Sequence, residues 1–116
     1  RDRTTPIILI SPIICPFHEE NPGPTLIGPN GLYSIPRVHD LSHGALNLPK
    51  IRQLLETAWQ KRNDPNLYFV NGLELFGPSD TSMMPDLLHP NAAGYRLMGE
   101  RFASSQKALI TKVLSN

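Results

Sequence analysis

A single cysteine, Cys15, is present, so no internal disulfide can form, and the chain lacks the staple on which small secreted domains rely. That favours a reducing compartment. Charge of one sign is also missing. The net charge is +1 and the basic residues are scattered, leaving no electrostatic footprint for nucleic acid or for an anionic membrane surface. Long apolar runs are absent: "PIILI" and "LYFV" fall far short of the roughly 20 residues that span a bilayer. The charged opening "RDRTT" lacks the apolar stretch of a signal peptide. The expectation is a soluble chain with no membrane span, leaning to the cytoplasm, with no feature that assigns a compartment outright. No internal repeat or low-complexity tract occurs. Methionine is missing from position 1, and a strand-like segment begins within five residues, so the chain is expected to be a piece of a larger protein.

What is present is an ordinary globular balance, 40% hydrophobic and 18% charged over 116 residues, enough for one small domain or part of a larger one. "TTPIILISP", residues 4–12, is a short isoleucine-rich run bounded by prolines and reads as a buried strand. Residues 13–47 carry prolines, glycines and polar residues without a sustained period, which predicts a long loop with a hairpin or a short helical turn inside it. Loops of that length are usually functional. From Leu48 to about Arg62, apolar residues Leu48, Ile51, Leu54, Leu55 and Ala58 recur at helical spacing, with Pro49 suited to the first turn. "NDPN" stops this helix, and "LYFVNG" reads as a second buried strand ended by Asn71 and Gly72. A second loop, 74–90, leads to one final helix with Tyr95, Leu97, Met98, Phe102, Leu109, Ile110 and Val113 on its apolar face.

Strand, helix, strand is a βαβ unit, and two parallel strands with two helices leave edges and faces that a complete doubly wound α/β domain buries with further strands. Ligand sites in such sheets lie beyond the carboxyl ends of the strands. The second loop, which leaves one of those ends, carries Asp86 and His89 in "DLLHPNAAGY". A separation of three lets a turn set the carboxylate against one imidazole nitrogen, fixing the tautomer while the other nitrogen faces outward as a general base. Pro90 restricts the backbone of His89, and Asn91 is suited to cap the following helix. The plain alternative is a helix cap beside a surface histidine.

The block "DLLHPNAAGYRLMGERF" resembles the last conserved block of the SGNH hydrolases, the GDSL family of esterases, lipases and acyltransferases. The likeness extends to "TPIILISPIICP", to "LYFVNGLELFG" as the last strand, and to "SPIICPFHEENPGPT", similar to a subgroup of GDSL-like acylhydrolases, so it covers nearly the whole chain. The resemblance implies a three-layer αβα, flavodoxin-like fold, of which residues 1–116 supply the last two strands and helices. It further implies a serine ester hydrolase acting on carboxylic esters, with His89 as general base and acid and Asp86 orienting it. No cofactor is implied. The family's Gly-Asp-Ser block and its oxyanion-hole Gly and Asn are missing. Ser11, Ser34, Ser42, Ser82 and the serine of "GPSD" lack a strand-turn-helix elbow, and the Asn-Asp of "RND" at 62–64 joins a helix to a strand, the wrong end of the sheet. The chain alone is therefore expected to be inactive, its partners being an ester substrate and the amino-terminal remainder of the domain or a second chain, including a second copy. The alternatives are an acyltransferase of the same family, or a noncatalytic binding or assembly module in which the Asp-His pair is a leftover or a cap.

Rival signals are weaker. His39 and His43 of "HDLSH" have helical metal-ligand spacing, with Asp40 or "HEE" at 18–20 to complete a site, yet the glycines and prolines around them argue against a helix, and no metal is expected. His18, Glu19 and Tyr33 are either pocket-lining or solvated loop residues. Cys15 reads as a small buried apolar residue rather than a nucleophile, Met83 and Met84 as loop packing or a cover over substrate, and Trp59 as helix packing.

Overall fold

A computed structural model describes residues 4–115, and the opening Arg1–Arg3 read above lies outside the described residues. Strand β1 (Ile7–Ile10) pairs in parallel with strand β4 (Leu67–Val70), in register from Ile7 opposite Leu67 to Ile10 opposite Val70. Helix α1 (Leu48–Arg62) connects them, matching the expected βαβ unit. Its ends are chemically specified. Asn47 accepts a hydrogen bond from the Lys50 amide at 3.1 Å and Pro49 sits in the first turn, both satisfying or removing donors that have no helical partner. At the other end Lys61 and Arg62 face the negative end of the helix dipole, and Asn63 turns left-handed at φ 44° to stop it.

Alternation along β4 sends neighbouring side chains to opposite faces. Phe69 stacks on Trp59 of α1 with ring centroids 5.4 Å apart, and the indole N–H donates to the Leu67 carbonyl at 2.8 Å. Tyr68 points the other way, where Lys112 of the last helix lies 5.2 Å over its ring. Helices therefore flank both faces of a small sheet in a mixed α/β arrangement. The strands are less buried than their composition suggests: Ile7 and Ile10 are 38% and 45% exposed, because β1 has a strand partner on one edge alone among the described residues. The final helix is also two. Helix α3 (Ala92–Ser105) and helix α4 (Lys107–Leu114) are separated at Gln106, which leaves the helical conformation at φ −103°, ψ 16°.

Both loops are structured. The first contains the antiparallel hairpin of β2 (Thr25–Gly28) and β3 (Gly31–Ser34), followed by a 3-10 helix at Val38–His43. In the second, Asn71 does more than end β4: its side chain accepts from the Leu73 amide at 3.1 Å and caps helix α2 (Gly72–Leu75), after which a 3-10 helix runs Pro78–Met83. The buried core of Ile14, Phe76 and Met84, with Leu73, Met83 and Met98 packed on it, lies between these loops and α3.

The two loops cross at one tight point. The Gly72 amide donates to the buried Ser11 hydroxyl at 2.9 Å, and a Cβ on Gly72 would lie 2.0 Å from the Ser11 carbonyl oxygen and 2.8 Å from the Pro12 carbonyl carbon. Those atoms are backbone and cannot swing away. Gly72→Ala is expected to destabilise the fold by about 3 kcal/mol, the upper range for overpacking, seen as a lower urea midpoint with an unchanged slope.

Candidate active site

Two guanidinium groups hold the loops that leave the carboxyl ends of β1 and β4. Arg52 of α1 grips Glu19 through two bonds of 2.8 and 2.7 Å, and also donates to the carbonyls of Pro12 and Ile13 at 2.8 and 2.9 Å. Glu19 accepts as well from the Cys15 amide at 3.0 Å. Partial burial pushes the Glu19 carboxyl up, but the Arg52 bonds and the Cys15 amide outweigh it and hold the group below its ordinary range. Arg101 of α3 does the same for the second loop, with bonds of 2.5 and 3.0 Å to Asp80 and one of 3.1 Å to the Leu75 carbonyl. Asp80 is 5% exposed and also accepts from the Gly77 amide at 2.8 Å; the Arg101 bonds outweigh its desolvation and keep it low.

On this base sits the turn 84–90. Leu87 adopts φ 60°, left-handed and rare for a branched side chain, at a cost of roughly 1–2 kcal/mol. That conformation aims the next two amides back at Asp86. Oδ1 of Asp86 accepts from the amides of Leu88 at 3.0 Å and His89 at 2.7 Å, while Oδ2 lies 2.7 Å from Nδ1 of His89. The turn is supported by the Leu87 amide on the Met84 carbonyl at 3.0 Å and by the Cys15 thiol on the Leu87 carbonyl at 3.6 Å. Beyond His89, Pro90 is buried and Asn91 accepts from the Gly94 amide at 3.0 Å, capping α3 as its sequence position predicts. Gly94 permits this entry: a Cβ there would sit 2.9 Å from Pro90 Cβ and 3.0 Å from Phe76.

The electrostatics follow from these bonds. The His89 side chain, then the two backbone amides, lower the Asp86 carboxyl from 3.8 to about 2. A carboxylate ionised at neutral pH can only accept, so the proton between the two groups belongs to Nδ1, and in the neutral imidazole the lone pair is then on Nε2. The His89 side chain is 64% exposed and that of Asp86 37%. An oriented imidazole with an accessible basic nitrogen can take a proton from an attacking hydroxyl and return it to a leaving group.

The other singled-out residues have structural tasks. Glu19, which borders a cavity with Ser11, Arg52 and Phe69, and His18 are both partly buried and hydrogen-bonded within the first loop. Glu19 is clamped, and His18 joins the Asn21 carbonyl at 3.2 Å to the Thr25 hydroxyl at 2.7 Å, with the backbone of Gly23 against its ring. Ser11 receives the Gly72 amide, Ser34 receives Asn21 Nδ2, and Ser42 donates to the His39 carbonyl; among the described residues no serine is hydrogen-bonded to His89. His39 and His43 do lie on a helix, contrary to expectation, but a 3-10 one with three residues per turn, so a separation of four does not align them; His39 contacts Asp40 and His43 contacts the His39 carbonyl. Among the described residues no three His, Cys, Asp or Glu side chains converge as a metal site. Cys15 is buried, and desolvation pushes its thiol up, away from the thiolate a nucleophile needs. Met84 is core, with Met83 packed against it. Arg52, Arg101 and Asp80 carry no signal in the sequence, because their partners lie 33 and 21 residues away.

No protein-family model matches the chain, and no curated protein matches it. Among solved structures, the fold is similar to that of salicylyl-acyltransferase SsfX3 from a tetracycline biosynthetic pathway, with a TM-score of 0.58 over 90% of this chain at 21% identity. The chain spans 27% of the length of that protein, and the likeness is one of fold. Among the described residues no helix is long and apolar enough to cross a membrane.

Because Asp86 ionises far below its unfolded value of 3.8, its interactions stabilise the fold fully above that value and are lost as pH falls toward 2. His89→Ala is expected to raise the Asp86 midpoint only part of the way to 3.8, since the two backbone donors persist, and a carboxyl-resolved NMR titration measures it.

Proposed function

We propose that these 116 residues form the carboxyl-terminal part of an SGNH-type hydrolase domain, a three-layer αβα fold, and supply the Asp-His half of a Ser-His-Asp triad acting on carboxylic esters. The observation that carries this reading is the 2.7 Å contact between Asp86 Oδ2 and His89 Nδ1, set beyond the carboxyl end of parallel strands with the imidazole exposed. In this reading His89 Nε2 removes the proton of a serine hydroxyl as its oxygen bonds to the ester carbonyl carbon. Asp86 stabilises the imidazolium, which then protonates the departing alcohol as the C–O bond breaks. A second hydroxyl, from water or from an acceptor alcohol, repeats the sequence on the acyl-enzyme. The serine is contributed by another part of the protein or by a second chain. The outer edge of β1, with Ile7 and Ile10 partly exposed, offers a place for a further strand. Similarity in fold to an acyltransferase fits acyl chemistry and keeps both acceptors open.

In the full-length protein, His89→Ala is expected to lower turnover of a p-nitrophenyl ester by about 10³-fold with the fold retained. Turnover within a few fold of wild type would overturn the assignment. The isolated polypeptide 1–116 is expected to show no turnover; a rate that disappears on His89→Ala would put the nucleophile within it.

A further inference from the structure

Two acid–base pairs lie at one junction: Asp80–Arg101 bridges the 3-10 helix Pro78–Met83 and α3, and Asp86–His89 sits in the turn that joins them. Asp86 hangs from the end of the 3-10 helix Pro78–Met83, and His89 stands at the start of α3. Asp80 belongs to that same 3-10 helix, and Arg101 to that same α3. The outer pair is exposed and held largely by its own bonds, whereas the inner one joins a buried Asp80 to a partly buried Arg101 in a two-pronged contact tied further to the Gly77 amide and the Leu75 carbonyl. Between them the Asn91 amide donates to the Met83 carbonyl at 2.7 Å, and Gly94 lies against Phe76 and Pro90. Sliding or rotating α3 against the 3-10 helix would displace the two ends of the short turn that carries both Asp86 and His89, and with them the bonds between the pair. A planar fork resists both motions, as a point charge does not.

We infer that Arg101, through Asp80, is a positioning residue for the Asp86–His89 pair. It locks the two elements that flank the turn carrying the acid and the base, without touching the reacting atoms. This rests on the acyl-transfer reading for its catalytic consequence alone.

The test is Arg101→Met in the full-length protein, read by the carboxyl titration of Asp86 and by the Nδ1–H proton resonance of His89. The expected results are a rise of roughly tenfold in the proton affinity of Asp86, a broadened or lost Nδ1–H resonance, and kcat lowered by up to about 100-fold with KM within about twofold. Arg101→Lys, which keeps the buried charge paired and loses the fork, is expected to fold and to show the same changes at smaller size, and it carries the test if the Met variant does not fold. A purely structural arginine would lower the melting temperature and leave both signals where they are in the wild type. A folded variant with unmoved signals overturns the inference whatever its turnover. Failure of the acyl-transfer reading, seen as His89→Ala with undiminished turnover, leaves these two signals to be judged on their own.

Discussion

The backbone crossing at Gly72 is the constraint from which the rest of the structure follows. Two chain segments leave the same ends of two parallel strands, and the second has to pass over the first with only a hydrogen atom between them. The Ser11 hydroxyl, buried at this point, turns the contact into a hydrogen bond instead of an unsatisfied amide. Beyond the crossing each segment forms its own loop, and each loop is fastened to a helix by one arginine. Arginine suits this task because its five donors reach a carboxylate and backbone carbonyls together, as Arg52 and Arg101 both do.

Asp80 and Asp86, six residues apart, show how similar shifts serve different ends. Both carboxyls are held below their ordinary range by hydrogen-bond donors. Asp80, itself buried, spends its oxygens on a guanidinium and a backbone amide. Asp86 spends one oxygen on backbone amides and offers the other to an imidazole whose far nitrogen faces solvent. Perturbed ionisation is common to structural and functional groups, and the two carboxylates differ in accessibility and in the identity of the partner. The left-handed Leu87 between Asp86 and His89 belongs to the same arrangement: backbone strain there is offset by the amides it turns toward the carboxylate.

Elements governed by local chemistry were legible before any coordinates. Helix α1 follows from its apolar spacing, Pro49 and the terminating "NDPN", and its bounds agree with the expectation. The Asn91 cap and the proximity of Asp86 to His89 are likewise local, since three residues can meet only through the turn between them. The break at Gln106 was not legible, because no proline or glycine marks it. Nor was the depth of β1 and β4. An isoleucine-rich run states what the strand prefers, whereas burial depends on what packs against it, and Ile7 and Ile10 stay partly open here.

The sequence by itself determined the βαβ order, the caps and the turn that joins an acid to a base, all of which depend on residue type and on neighbours within a few positions. Tertiary structure alone decided which polar loop residues fasten the loops to the helices. Glu19 and Arg52, 33 positions apart, and Asp80 and Arg101, 21 apart, become partners only when the strands align and the loops cross. A charged side chain's role is set by the donor it meets, and for such pairs the meeting is a property of the fold.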